Sequence, residues 1–124
     1  MILAPFLLAL QCFTTTPNSA GPGALLSYSG PNWPTTATWC VTQAPPLSRG
    51  ALLYARNNAQ PGYPFHGGSL CITQPYQVVV ADVGPNGVAL GTLQPFTGPN
   101  EWYYIQYIYR DLDTILTTNT QKVN

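Results

Sequence analysis

Short runs of strand-forming residues, separated by glycine and proline, dominate the hydrophobic pattern of this chain. Thr36–Gln43 alternates apolar and polar side chains with a period of two, which is typical of a strand buried on one face. Glu101–Arg110 is the strongest strand signal, because aromatic and β-branched residues follow one another there without a break. No window keeps apolar residues at helical spacing. The pattern predicts six or more strands, roughly, and no helix longer than about two turns. It also predicts Glu101–Tyr109 as the longest or second-longest strand.

Further short runs extend this prediction along the chain. Asp82–Gly87 contains Pro-Asn-Gly, so it predicts a hairpin that joins the runs on either side of it. Arg56–Gly68, rich in glycine, proline and asparagine, is predicted to be a long loop. About seven or eight short strands with such turns predict an all-β, antiparallel β-sandwich that forms a single domain over 12–124. The remaining predicted strands are Ala24–Tyr28, Ala51–Ala55, Ser69–Thr73, Tyr76–Val83, Val88–Leu93 and an edge strand at Leu112–Thr118.

Both faces of the Glu101–Arg110 strand are apolar or aromatic. A strand with two apolar faces is either central in its sheet or an edge that another subunit covers. One face carries Tyr103, Ile105, Tyr107 and Tyr109, and the other carries Trp102, Tyr104, Gln106 and Ile108.

Residues 1–11 form an apolar N-terminal segment. Met1–Leu10 lacks the positive start of a signal peptide, and it is shorter than the roughly 20 residues that a membrane-spanning helix needs. We expect an ordered strand, packed in its own sandwich or against a neighbouring copy, with a retained signal segment as the alternative. An apolar strand left exposed would promote aggregation. The predicted interface residues are Ile2, Leu3, Phe6, Leu7, Leu8 and Leu10.

Charge is sparse over the whole sequence. Charged residues make up 6% of the chain, against roughly 25% in an ordinary soluble protein. The four basic residues are balanced by four acidic ones, and a nucleic-acid binder needs more cations than this to neutralise phosphates. A net charge near zero also promotes association. The composition therefore excludes nucleic acid as a partner and predicts a homo-oligomer or a polymer.

The three cysteines are Cys12, Cys40 and Cys71, and their spacing matches no zinc motif. Cys40 and Cys71 each lie in a strand-like run, so we expect a disulfide between them. It would close a loop of about thirty residues, worth roughly 3 kcal/mol in the chain-entropy description. Cys12 would then be unpaired or would pair between chains. The alternative is three reduced thiols in a reducing compartment.

Candidate catalytic chemistry is weak. His66 is the only histidine, and Ser69 lies near it on the same predicted loop, but no G-x-S-x-G elbow is present. The four carboxylates do not form a pair that would predict a glycosidase. Asp111 and Asp113 lack the spacing of a calcium loop. We therefore predict no enzyme, no catalytic residues, no metal and no small-molecule cofactor.

Aromatic side chains are the remaining functional candidates. Tryptophan and tyrosine can form a flat platform for sugar rings or for a protein partner, whereas core packing is the alternative for most of them, because aromatic rings bury large areas. The candidates for an aromatic surface are Trp33, Tyr63, Phe65, Trp102, Tyr103, Tyr107 and Tyr109.

Three stretches resemble, in the same order, an extracellular β-domain module of secreted proteins from planctomycete and myxobacterial bacteria. They are Cys12–Gly30 with its Asn-Ser-x-Gly, Gly50–Pro75 with its Pro-Phe-x-x-Gly turn and Leu-Cys pair, and Tyr104–Asp111, which ends in Tyr-Arg-Asp. The resemblance implies an extracellular β domain, often part of a larger secreted protein, with no established catalytic residues. This chain departs from the module by adding Cys40 and by ending in Thr118–Asn124 without a cysteine, so the resemblance leaves the pairing of the cysteines open.

These features together predict an extracellular or cell-surface protein without enzymatic activity. The leading hypothesis is a structural subunit of an assembly such as a filament, a sheath or a surface layer. A carbohydrate-binding or adhesive module, with a glycan as partner, is the first alternative. A viral capsid or decoration protein is the second, because such subunits also use β-sandwiches.

Overall fold

A computed structural model describes Cys12 and residues 14–124, with only the backbone described for 58–61. Within these residues there are nine strands and no helix, so the prediction of an all-β protein is confirmed. The strands number nine rather than seven or eight. Their bounds are β1 Leu25–Ser29, β2 Thr38–Thr42, β3 Gly50–Ala55, β4 Asn58–Phe65, β5 Gly68–Ile72, β6 Gln77–Val80, β7 Ala89–Thr92, β8 Tyr103–Asp111 and β9 Thr114–Val123.

The strands form three antiparallel sheets that lie in layers. A three-stranded sheet has the order β1-β2-β7, a four-stranded sheet the order β6-β3-β8-β9, and β4 and β5 form a hairpin. The four-stranded sheet is the middle layer. Its first face packs against the three-stranded sheet, and its second face packs against the β4–β5 hairpin.

β8 is a central strand, which is one of the two alternatives that its apolar faces left open. It pairs with β3 on one side and with β9 on the other. Its nine residues make it the second-longest strand after the ten of β9, which confirms the prediction for this region. Ile105 and Tyr107 point into the first face, whereas Gln106 points into the second. β8 therefore belongs to both cores of the molecule.

Aromatic rings over glycine fill the core of the first face. The rings of Trp39 and Tyr107 lie 5.7 Å apart. A Cβ atom at Gly91 would lie 2.9 Å from the indole nitrogen of Trp39, and one at Gly50 would overlap the hydroxyl of Tyr107. That hydroxyl donates to the carbonyl of Ala81. Each of the two sheets thus uses a glycine to accommodate a large ring of this core.

A β-bulge in β9 lets the side chain of Asn119 bond the three-stranded sheet at β1. The register between β8 and β9 shifts by one residue between Gln106 and Ile108, so Thr118 and Asn119 together lie opposite Tyr107. The buried amide of Asn119 accepts from the N–H of Leu26 at 2.8 Å and donates to the carbonyl of the same residue at 3.0 Å. The side chain of Asn119 therefore satisfies backbone groups of β1 as a neighbouring strand would.

Two predictions about local structure were wrong. The segment predicted as a long loop contains β4, which includes Pro64 and pairs with β5 around a shift in register. Proline is compatible with this strand, because irregular edge strands tolerate the missing N–H group. The predicted hairpin around Asp82–Gly87 is absent, because β6 pairs with β3 whereas β7 pairs with β2 in the other sheet. A turn sequence determines where the chain reverses and leaves the partner of each strand open.

The predicted disulfide between Cys40 and Cys71 was also wrong. Cys12 and Cys71 form the disulfide, with an S–S distance of 2.12 Å, and Cys40 is free. Cys40 is part of β2 in the three-stranded sheet, whereas Cys71 is part of β5 on the opposite side of the middle layer. The four-stranded sheet therefore separates the two residues. A disulfide is compatible with an oxidising compartment.

Candidate functional site

Three of the aromatic candidates are exposed, and the others contribute to the core. Trp33, Tyr63 and Trp102 are exposed, which is a condition for a surface role, and Phe65 is half-buried. Tyr103, Tyr107 and Tyr109 are buried in the first face, so the structure corrects their assignment to the surface. Burial raises the pKa of Tyr103 to about 12, so this phenol stays protonated in the folded protein at alkaline pH, where an exposed tyrosine ionises.

The predicted interface residues Ile2, Leu3, Phe6, Leu7, Leu8 and Leu10 lie outside the described residues. Their role remains a prediction.

The residues considered for catalysis and for calcium are dispersed. His66 lies in the β4–β5 turn with a φ of 54°, and its ring packs edge-on against Phe65. Asp111 accepts hydrogen bonds from the backbone and the hydroxyl of Ser19, at 2.8 and 2.5 Å, which anchor the chain before β1. Asp82 accepts from the N–H of Gly50 at 3.2 Å. In the part of the chain that the structure describes, no group of three or more His, Cys, Asp and Glu side chains lies together.

The most unusual surface feature is β6, the outermost strand of the four-stranded sheet. All four of its residues are exposed, and Val78, Val79 and Val80 have exposed fractions of 54%, 43% and 77%. The strand contains no charge, no proline and no bulge. Natural proteins commonly protect edge strands with such features, because an unprotected edge pairs with other chains. We refer to the free side of Gln77–Val80 as the open edge.

The backbone of the open edge has unpaired positions. The N–H of Ala81 donates to the carbonyl of Gly50 at 3.1 Å, so the backbone N–H and carbonyl of residue 81 face β3. The backbone polar groups of successive residues face opposite edges of a strand. Those of Val79 therefore also face β3, whereas those of Val78 and Val80 face away from it. The N–H and carbonyl groups of Val78 and Val80 are thus available to a further strand.

A crevice lies beside the open edge, between the two sheets of the sandwich. Its volume is about 260 Å³, and its apolar lining includes Leu52, Val79, Leu93 and Pro95. Alternate side chains of a strand point to the same face of a sheet. A strand that paired with β6 would therefore project every second side chain towards this crevice.

The opposite edge of the same sheet is covered. At β9 the N–H of Thr120 donates to the carbonyl of Cys12 at 2.9 Å, and Lys122 adds an exposed charge to the strand. Asn119 and Gln121 of β9 also donate to the carbonyl of Leu26 in β1. The two edges of one sheet therefore differ, since one is protected by charge, a bulge and a covering segment and the other is open.

The valine-rich run of the open edge was predicted as a strand, but its predicted partner was wrong. A hairpin with Val88–Leu93 would have covered this edge, so its exposure was missed. Three consecutive valines without alternation are the signal that could have indicated it, because a half-buried strand normally alternates.

No helix among the described residues is long and apolar enough to cross a membrane. Comparisons with protein families, with curated proteins and with solved structures find no match for this chain.

Proposed function

We propose that this protein is a structural subunit of an extracellular assembly, and that copies join by adding a strand to the open edge. The observation that carries the proposal is the exposure of an uncharged strand of three valines beside an apolar crevice. Strand addition of this kind combines main-chain hydrogen bonds with side chains that enter pockets. The disulfide and the resemblance to secreted modules support an extracellular location.

The strand that we assign to the open edge is Met1–Leu10 of a neighbouring copy. This segment carries no charge and is rich in leucine, isoleucine and phenylalanine, as the open edge and its crevice require. Fully burying a large apolar side chain is worth about 1.5–3 kcal/mol. Several such side chains would supply a substantial driving force for association.

The attachment of this segment favours head-to-tail assembly. The segment joins the domain at Cys12, which lies beside β9, whereas the open edge is β6 at the other side of the sheet. Donor and acceptor are therefore different surfaces of each copy. Such heterologous contacts produce rings or open filaments, unless two copies exchange the segment reciprocally and close a swapped dimer.

The decisive experiment removes the donor and the acceptor separately. A variant that lacks residues 1–11 and a full-length Val80→Lys variant should both remain monomeric in sedimentation velocity, whereas the unaltered chain should form polymers visible by negative-stain microscopy. The lysine acts by placing a charge at the edge that must be desolvated on pairing. Leu90→Lys is the matched control, because Leu90 is 69% exposed in β7 of the other sheet, and it should assemble normally.

A peptide of residues 1–11 provides the complementary test. It should bind the truncated domain, and Val80→Lys should abolish that binding. The competing location for the segment is an apolar hollow of about 260 Å³ on the second face of its own chain, lined by Ala51, Ile108 and Ile115. If the unaltered protein stays monomeric at high concentration, or if the truncated protein still polymerises, the donor-strand proposal is wrong.

A further inference from the structure

Trp102 forms a ridge between two surface clefts, the larger of which reaches Gln77 at the start of β6. A cleft of about 340 Å³ lies on one side of it, and a cleft of about 240 Å³ lies on the other. Trp102 and Glu101 line both clefts. The indole is 42% exposed, so part of its surface is accessible to a ligand that extends from one cleft to the other. We call Trp102 and these two clefts the Trp102 ridge.

The larger cleft has a rigid aromatic floor. Phe96 packs edge-on against Tyr103 at 5.3 Å, and Tyr54 packs against the same ring at 5.6 Å. The hydroxyl of Tyr103 donates to the carbonyl of Gln94 at 2.8 Å, which fixes the loop before β8. Because these rings are held by the core, the cleft is preformed and would not have to be assembled when a ligand binds.

Planar amides line the rim of this cleft and present hydrogen-bond donors. The hydroxyl of Tyr54 donates to the side-chain oxygen of Gln77. The same hydroxyl lies 3.1 Å from the side-chain oxygen of Gln94. A hydroxyl has one proton to donate, so the amide that it fixes through its oxygen is that of Gln77. Among the described residues no hydrogen bond is found for the two amide nitrogens, which leaves them free to donate to ligand oxygens.

Two of the four basic residues of the chain border the indole of Trp102. The guanidinium carbon of Arg56 and the ammonium nitrogen of Lys122 each lie 5.7 Å from the centre of the indole ring. One acid, Glu101, lies between them. A hydrogen bond from the hydroxyl of Thr97 lowers the pKa of this carboxyl, and the 3.9 Å pair with Arg56 is long and exposed. The charged side chains of the ridge therefore sum to about one positive unit in a protein whose charged side chains balance.

We infer that the Trp102 ridge binds a saccharide chain that carries carboxylate groups. An accessible indole packs against the apolar C–H face of a sugar ring, and the amides of Gln77 and Gln94 suit its hydroxyl groups. Arg56 and Lys122 would each pair with a carboxylate, one on either side of Trp102. The two clefts therefore predict at least two sugar units, with Trp102 between them. The inference uses none of Val78, Val79 and Val80, although the larger cleft reaches the open edge at Gln77, the first residue of β6.

The binding experiment uses the full-length protein and oligogalacturonate, with a neutral oligosaccharide of equal length as the comparison. Binding is followed by tryptophan fluorescence and by calorimetry. We expect oligogalacturonate to bind, its affinity to fall as salt is raised, and Trp102→Ala to weaken binding by at least about tenfold. Arg56→Gln and Lys122→Gln should each weaken binding several-fold and reduce the dependence on salt. Trp33→Ala is the control, because Trp33 is exposed but lines neither cleft, and it should leave the affinity unchanged.

Each alternative outcome overturns part of the inference. Equal binding of the neutral oligosaccharide with no effect of salt would show that the two cations do not select carboxylates. An equal loss of affinity in Trp33→Ala and Trp102→Ala would place the site elsewhere. If neither saccharide binds to a protein whose circular dichroism is that of a folded β protein, the ridge is not a saccharide site.

Discussion

The two layers that pack on the four-stranded sheet are attached to it in different ways. The first face buries a continuous set of aliphatic and aromatic side chains against the three-stranded sheet, with Trp39 and Tyr107 at its centre. The second face buries a smaller cluster that includes Leu53, Leu70 and Ile72. The smaller cluster is supplemented by polar and covalent links to the β4–β5 hairpin.

The amide of Gln106 is the main polar link of the second face. It accepts from the N–H of Cys71 and donates to the carbonyls of Ser69 and Thr118, each at 2.8 Å. The N–H of Ser69 donates to the hydroxyl of Thr117 at 3.0 Å, and the disulfide attaches β5 to Cys12. A two-stranded hairpin is at best marginally stable alone, so these links compensate for the small apolar area that the hairpin buries. A large layer is therefore secured by burial and a small layer by specific bonds.

The largest effect is expected where the first face is broken. Trp39→Ala should lower the free energy of unfolding by about 3–5 kcal/mol, because it removes the largest buried ring of that core. Denaturant titration of the mutant measures the loss, and Trp39→Phe, which keeps an aromatic ring, should lose less. Equal losses in the two variants would contradict the importance that we give to this ring.

Removing the disulfide should weaken the second face alone. The double variant Cys12→Ser, Cys71→Ser should lower the free energy of unfolding by about 2–4 kcal/mol, because the bond closes a long loop, whose ends are 59 positions apart in the sequence. Hydrogen exchange should show the loss of protection first in β4 and β5. Cys40→Ser, which removes the free cysteine, should leave the protection of the hairpin unchanged.

Alkaline pH should act on the first face. The pKa of Tyr103 is raised from 10.0 to about 12 by burial, and burial also raises the pKa values of Tyr107 and Tyr109. Above pH 10 the unfolded chain releases these protons while the folded chain retains them, so the free energy of unfolding falls as pH rises. For Tyr103 the loss should reach about 2–3 kcal/mol near pH 12. Denaturant titrations across this range, with Tyr103→Phe as the comparison, test the sign: the variant should lose less stability.

Gln106→Leu tests the polar link of the second face. The variant should lower the free energy of unfolding by about 2 kcal/mol, because one buried N–H and two carbonyls lose their partner. Gln121→Leu, which removes a single hydrogen bond to Leu26, is the control and should cost less. A neutral effect of Gln106→Leu would show that apolar packing can hold the hairpin without these bonds.

The smallest effect is expected at a turn that belongs to neither face. Leu112 has a φ of 55° in the β8–β9 turn and is 81% exposed. Leucine is unfavourable in this conformation, so Leu112→Gly should raise the free energy of unfolding by about 0.5 kcal/mol, the strain relieved being partly offset by the added flexibility of glycine. Thermal unfolding measures this gain. Leu47→Gly, at another exposed leucine with a φ of 63°, should show a change of the same sign.

The sequence by itself determined the local properties of the chain. The strand class followed from alternation and from the glycine and proline between the runs, and two apolar faces limited β8 to a central strand or a covered edge. These are properties of neighbouring residues. The aromatic residues showed the limit of this reasoning. A ring such as Tyr107 has the same sequence signal whether it lies in the core or on the surface, since its large apolar area suits both.

Only the tertiary structure decided which distant segments meet. Cys71 and Cys40 have equivalent local patterns, yet the middle sheet lies between them. Cys12, which is distant in sequence, lies beside Cys71 instead. The Trp102 ridge likewise joins Arg56, Trp102 and Lys122 from three segments, and the open edge exists because β6 pairs with β3 rather than with β7. Pairing and layering depend on contacts between residues far apart in sequence, and turn chemistry and periodicity act only between near neighbours.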